Sequence, residues 1–156
     1  MPKTVFDNMT MPPCTELLGW RLLDARPEEG WIRIGFEGRR EFCNPAGFVQ
    51  GGMLAAMLDD TMGPAAFIMT DGKLFTSTIS MTVNFLAAAK PGPIVGEAKV
   101  TQLGKTIAFI EGKLMDADGT VLATASTNAR LVESAKAFRW SRFRTEPRSE
   151  RNFCAR

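Results

Sequence analysis

The residues best suited to chemistry lie in one stretch, Asn44-Pro45-Ala46-Gly47-Phe48-Val49-Gln50-Gly51-Gly52-Met53-Leu54-Ala55-Ala56-Met57-Leu58-Asp59-Asp60. Asp59 falls where apolar residues surround almost the whole helical wheel from Met53 to Met69, the pattern of a helix packed on most sides. A carboxylate there is costly to bury unless it is hydrogen-bonded or has work to do. The loop ahead of it offers the side-chain amide of Asn44 and two glycines, Gly51 and Gly52, at the expected helix N-terminus. Together they suggest a nucleophile or general base facing a set of hydrogen-bond donors. Asp60, one position on and about 100° round the helix, is expected to be structural or to face solvent.

The chain contains no histidine and no tyrosine. A Ser-His-Asp triad, a His-based acid–base pair and His-ligated metals are therefore excluded. Proton chemistry has to come from carboxylates, water, or perturbed Lys and Cys groups. Cys14, Cys43 and Cys154 are odd in number, widely spaced and form no C-x-x-C pair. Reduced thiols and no structural zinc are expected.

The elements that must hold this constellation can be read along the chain. Pro12 and Pro13 open a short segment, about one helical turn, ending near Gly19. Trp20 to Ala25 and Trp31 to Glu37 read as paired strands across the turn Arg26 to Gly30. Gly38 to Val49 is loop, and Gln50 to about Met69 is the one long helix, with Gly63-Pro64 expected to kink it or end it early. Leu74 to Ala87 alternates with period two. Thr76, Thr78, Ser80, Thr82 and Asn84 fall on one face, and Phe75, Ser77, Ile79, Met81, Val83 and Phe85 on an apolar one whose only polar residue is Ser77. Strands Ile94 to Leu103, Thr106 to Met115 and Thr120 to Val132 follow, the last two joined by the hairpin signal Asp116-Ala117-Asp118-Gly119. Two strands, a helix apolar nearly all round, then four antiparallel strands imply an α+β domain whose sheet curls about the helix.

This arrangement resembles the hotdog fold: an antiparallel sheet of about six strands wrapped around one long central helix. The loop and helix resemble acyl-CoA thioesterases of the phenylacetate-pathway or 4-hydroxybenzoyl-CoA type, whose pattern is Asn, a few residues, His-Gly-Gly, then Asp or Glu nine residues after the His. The matching residues here are Asn44, Gln50-Gly51-Gly52 and Asp59, and the resemblance spans roughly Leu17 to Val132. It implies Asp59 as nucleophile or as base for water, and the backbone N–H of Gly51 as donor to the thioester carbonyl oxygen. The amides at a helix N-terminus are unpaired and lie in a positive dipole field, which suits an oxyanion. The resemblance also implies that Asn44 positions the water or the carbonyl and that Ser77, eighteen residues beyond Asp59, orients the water. Gln50, Gly52 and Phe48 line the substrate side. In that family the loop and the carboxylate come from opposite subunits, so a homodimer or dimer of dimers is implied, with acyl-CoA as substrate and no separate cofactor. Gln50 departs from the pattern, since it can hydrogen-bond but cannot titrate.

Length and composition fit one globular domain, 1–133, followed by a basic extension, 134–156. From Glu133 onward seven basic residues face three acids, so that segment carries +4 of the chain's net +2 and leaves about −2 on the rest. A solvated or subunit-packed extension is expected, with Phe138, Trp140 and Phe143 docking on protein; no nucleic-acid or membrane partner is. No apolar run approaches the roughly 20 residues of a membrane span. Met1 to Cys14 lacks an apolar core segment and a cleavage signature, so a cytoplasmic protein is expected. The expected activity is thioester hydrolysis. A hydratase on this fold would want a His, and a non-catalytic acyl-CoA-binding module is the alternative that Gln50 keeps open. Phe48, Phe67, Phe75, Ile79 and Met81 are the candidates for contact with the acyl group, which the sequence does not specify.

Overall fold

The structure is a computed structural model and describes residues 4–138. The remainder of the basic extension, with Trp140, Phe143 and Cys154, lies outside the described residues. Six antiparallel strands form one sheet: β1 (Arg21–Arg26), β2 (Trp31–Gly38), β3 (Leu74–Phe85), β4 (Gly92–Leu103), β5 (Ile107–Asp116) and β6 (Val121–Glu133). Their spatial order is β1-β2-β4-β5-β6-β3, which leaves β1 and β3 at the edges. One long helix, α2 (Gly51–Met69), lies against the sheet, flanked by the short helices α1 (Pro13–Leu17) and α3 (Ser134–Ala137). This is the hotdog arrangement expected from the sequence.

Side chains from both layers fill the core. Ile32, Ile34 and Phe36 of β2, Ile94 of β4, Ile110 and Leu114 of β5 and Leu122 of β6 meet Leu54, Met57, Leu58 and Met62 of α2, all at most 3% exposed. Two strand glycines let the helix come close. A Cβ at Gly96 would collide with the Thr61 hydroxyl, and one at Gly112 would stand 2.8 Å from Met62.

Three expectations need correction. The first concerns Pro64, which does not end α2 early; the helix runs on to Met69. A proline in a helix removes the N–H that would bond the carbonyl four residues earlier. Here that carbonyl belongs to Asp60, and the Trp20 indole Nε1–H donates to it at 3.0 Å.

The second concerns the faces of β3. Thr76 is buried and donates to the Gly63 carbonyl at 3.0 Å, so the hydroxyl face, not the Phe75–Ser77 face, meets the helix at this end. Ser77 is exposed, standing between Thr76, which is buried, and Thr78, whose exposed hydroxyl bonds α2 at Asp59. The pairing of β3 with β6 then shifts register between Thr78 and Ser80, a bulge that leaves Ile79 60% exposed. One extra residue swaps the faces of everything beyond it, and Met81 and Val83 do pack on the core.

The third concerns Asp59, which is exposed rather than buried. Gly52, Ala56 and Asp59 recur at the spacing of one helix face, and both Gly52 and Asp59 are exposed. That face lies beyond the sheet's own cover.

Candidate active site

The loop before α2 is tied down along its length. Cys43 and Val49 form a β-bridge, and Asn44 N–H donates to the Phe48 carbonyl at 2.8 Å. The Asn44 side-chain oxygen accepts from the amides of Ala46 at 3.0 Å and Phe48 at 3.2 Å, and Gly47 completes the turn at φ 83°. An Asx turn of this kind is what a half-buried Asn before Pro provides locally. Val49 N–H reaches the Ala89 carbonyl and Gln50 N–H the Phe42 carbonyl, both at 2.8 Å. The chain therefore enters α2 in a fixed direction.

At that entry the Gln50 carbonyl accepts from the amides of Met53 at 2.9 Å and Leu54 at 3.2 Å, while its side chain is exposed. The amides of Gly51 and Gly52, ahead of those two, have no acceptor within the helix. Gly51 lies under the Phe85 ring, close enough that a Cβ would sit 3.2 Å from it, whereas Gly52 faces open space. Gln50, Gly51, Gly52, Asn44 and half-buried Phe48 thus form one local group.

Asp59 belongs to a second group. It lies eight residues along α2 from Gly51, about 12 Å at the helical rise, so one chain does not bring the two together. Its Oδ1 accepts a 2.7 Å hydrogen bond from Thr78 Oγ1. Thr78 occupies the place beside the carboxylate that the sequence suggested for Ser77. Hydroxyls at alternate positions of β3, Thr76 and Thr78, were the signal in the sequence.

Asp60 is the carboxylate with a buried environment. Thr15 Oγ1 donates to its Oδ1 at 3.4 Å, and its Oδ2 is buried with no partner among the described residues. Burial raises its pKa above the ordinary 3.8; the Thr15 hydroxyl lowers it and the neighbouring charge of Asp59 raises it further. Both carboxylates line a cavity of about 190 Å³ whose other walls include Trp20, Phe67, Phe75, Thr78 and Phe138. Phe138 stacks edge-on against Phe67 and Phe75, with ring centroids 5.9 Å and 5.5 Å away. Phe67 and Phe75 thus lie beside Asp59, whereas Phe48 and Met81 are not among the residues lining the cavity. No group of three or more Cys, Asp or Glu residues among the described ones is arranged to hold a metal ion.

A sequence profile of the thioesterase superfamily matches residues 46–123, half of the chain, including Gln50, Gly51, Gly52, Asp59 and Thr78. The chain belongs to the thioesterase superfamily. A protein of Saccharolobus solfataricus that carries the name of an esterase is 32% identical over 98 residues, which cover 63% of this chain and 69% of that protein. Among solved structures, a phenylacetic acid degradation-related protein of Ralstonia eutropha superposes with a TM-score of 0.76 at 28% identity, covering 81% of this chain and 95% of that one. The Escherichia coli PaaI protein from the phenylacetic acid degradation operon superposes with a TM-score of 0.69 at 17% identity, covering 81% and 87%. At that identity the likeness is one of fold. Within this thioesterase superfamily chain the signature residues divide into two groups, loop and carboxylate, about two helical turns apart.

Proposed function

We propose that this protein hydrolyses acyl-CoA thioesters to the free acid and CoA, with Asp59 as the reacting carboxylate. The observation that carries this reading is Asp59 itself, held by Thr78 at 2.7 Å on the rim of an aromatic-lined cavity. In the general-base form, Asp59 takes a proton from water as the water oxygen bonds to the thioester carbon. The resulting oxyanion is held by the Gly51 amide. Collapse breaks the C–S bond, and the thiolate recovers the proton. In the nucleophilic form, an Asp59 oxygen bonds to the thioester carbon and expels the CoA thiolate; water then cleaves the mixed anhydride. Asn44 holds the loop that aims Gly51, Gln50 and Gly52 border the donors, and Ser77 stands next to Thr78 on β3.

Because about 12 Å separates Gly51 from Asp59 along α2, this reading pairs the carboxylate with the loop of a second copy. Strand β3 supports this arrangement. It is a 12-residue edge strand with Phe75, Ile79 and Phe85 exposed at 38%, 60% and 55%. Unpaired edges of this length are templates for pairing with another chain. Steady-state release of free thiol from a panel of acyl-CoAs tests the assignment. Asp59→Asn should abolish turnover, and turnover retained within twofold would remove Asp59 from the chemistry.

A further inference from the structure

The cavity beside Asp59 has a wall that lies outside the loop-and-helix signature. The segment from Phe6 to Trp20 crosses α2 and contributes Phe6, Met9, Met11, Pro12, Thr15 and Trp20 to the lining. We propose that this cavity receives the acyl group and that the N-terminal segment sets its size limit, so that the protein selects compact, uncharged acyl groups. This rests on the hydrolytic reading of Asp59 for the identity of the occupant.

Four observations converge on it. Asp59 and Thr78 both line the space, so a group attached to a carbon at Asp59 can enter it directly. The walls are aromatic and continuous: Phe6 meets Trp20 at 5.3 Å and Phe67 at 5.7 Å, and Phe138 joins Phe67 to Phe75. At about 190 Å³ the cavity can hold a ring-sized group, since a dry apolar cavity of roughly 150 Å³ takes up benzene. Among the described residues lining it, the charged ones are Asp59 and Asp60, and two carboxylates are hostile to an acyl group ending in a carboxylate or to the CoA phosphates.

The wall is anchored at two points. Trp20 is fixed to α2 by the carbonyl that Pro64 leaves free, and Thr15 hydrogen-bonds the Asp60 carboxyl. Trp20 and Thr15 therefore act as positioning residues for the wall, and Phe6 and Met11 as the residues that bound its volume.

A series of saturated acyl-CoAs from acetyl to hexadecanoyl, with benzoyl-CoA and glutaryl-CoA added, tests the proposal through kcat/KM. Values should climb about fourfold per methylene, the worth of one buried CH2, up to six to eight carbons, then fall. Glutaryl-CoA should be poor. Phe6→Ala should move the optimum to longer chains and Met11→Trp to shorter ones. If Phe6→Ala does not fold, Met11→Trp carries the test alone. A wild-type optimum at dodecanoyl or beyond, or an unmoved optimum in the folded variants, would overturn the size limit. Calorimetric binding of the same series to Asp59→Asn separates the two readings. A size-limited binding profile with no wild-type turnover would retain the pocket and retire hydrolysis; turnover with no size limit would do the reverse.

Discussion

Replacing Trp20 by Phe removes the indole N–H that satisfies the Asp60 carbonyl and keeps most of the ring. That carbonyl is an orphan because Pro64 has no N–H to offer it, so the variant leaves a partly buried acceptor without a partner. An unsatisfied buried group costs about 1–3 kcal/mol, and the half-buried position of Trp20 argues for the lower part of that range, about 1–1.5 kcal/mol. Pro64→Ala brings back an N–H in register with the Asp60 carbonyl. In that background the indole bond becomes redundant, and the cost of Trp20→Phe should shrink. The pair should therefore couple by about 1 kcal/mol, well beyond the roughly 0.3–0.5 kcal/mol error of additivity. Urea melts of wild type, both single variants and the double variant measure it. Additive costs would refute the claim that Trp20 replaces the bond that Pro64 deletes.

Thr78→Val should lower kcat/KM about fivefold, taking the hydrogen bond to a charged group at about 1 kcal/mol because both partners are exposed. Ser77→Ala should cost less than twofold, and the opposite ranking would show that β3 presents its other face to Asp59. Gly51→Pro should lower kcat by roughly 10²–10³ with a moderate fall in melting temperature, since the new Cβ stands 3.2 Å from the exposed Phe85 ring, which has to give way. Proline is favoured at the first helical position, and Gln50 already holds φ −58° and ψ 138°, the conformation a residue before proline needs. Retained kcat in a folded variant would remove the Gly51 amide from the mechanism. Asp60→Asn should flatten the pH dependence of stability. Because the folded-state pKa of Asp60 is raised, the native chain keeps a proton that the unfolded chain releases above its ordinary 3.8. The group's contribution thus falls as pH rises from there through the folded value, by at most about 1.4 kcal/mol per unit of elevation. Thermal melts from pH 4 to 7 should show the wild type losing stability that the variant keeps; identical slopes would exclude Asp60 as the source.

The long apolar segment from Met53 and the alternating strands around it reveal the fold in the sequence, because burial leaves a period that propensity reinforces. Their limits come from contacts far apart in the chain. Periodicity marks Asp59 as lying on a helix apolar nearly all round, yet cannot say that the Gly52–Ala56–Asp59 face escapes this chain's own sheet. Alternation along β3 is read correctly as a two-residue repeat, but the bulge at Ile79 exchanges its faces midway, so Ser77 and Thr78 trade expected places. Pro64 looks like a helix terminator until Trp20, 44 positions earlier in the sequence, is found beside it. Asp59 and Gly51 are legible as candidates through a motif; the buried surroundings of Asp60 follow only from the segment that folds across it.

The two helical turns between Gly51 and Asp59 also make a genetic statement. If every centre draws its donors from one copy and its carboxylate from the other, two inactive proteins can repair each other. Mixed and refolded together, Asp59→Asn and Gly51→Pro chains should form hybrids with one centre intact and one doubly defective. Random pairing would then restore about a quarter of wild-type activity. A damaged allele of such a protein would be rescued by a differently damaged partner and never by a second copy of itself.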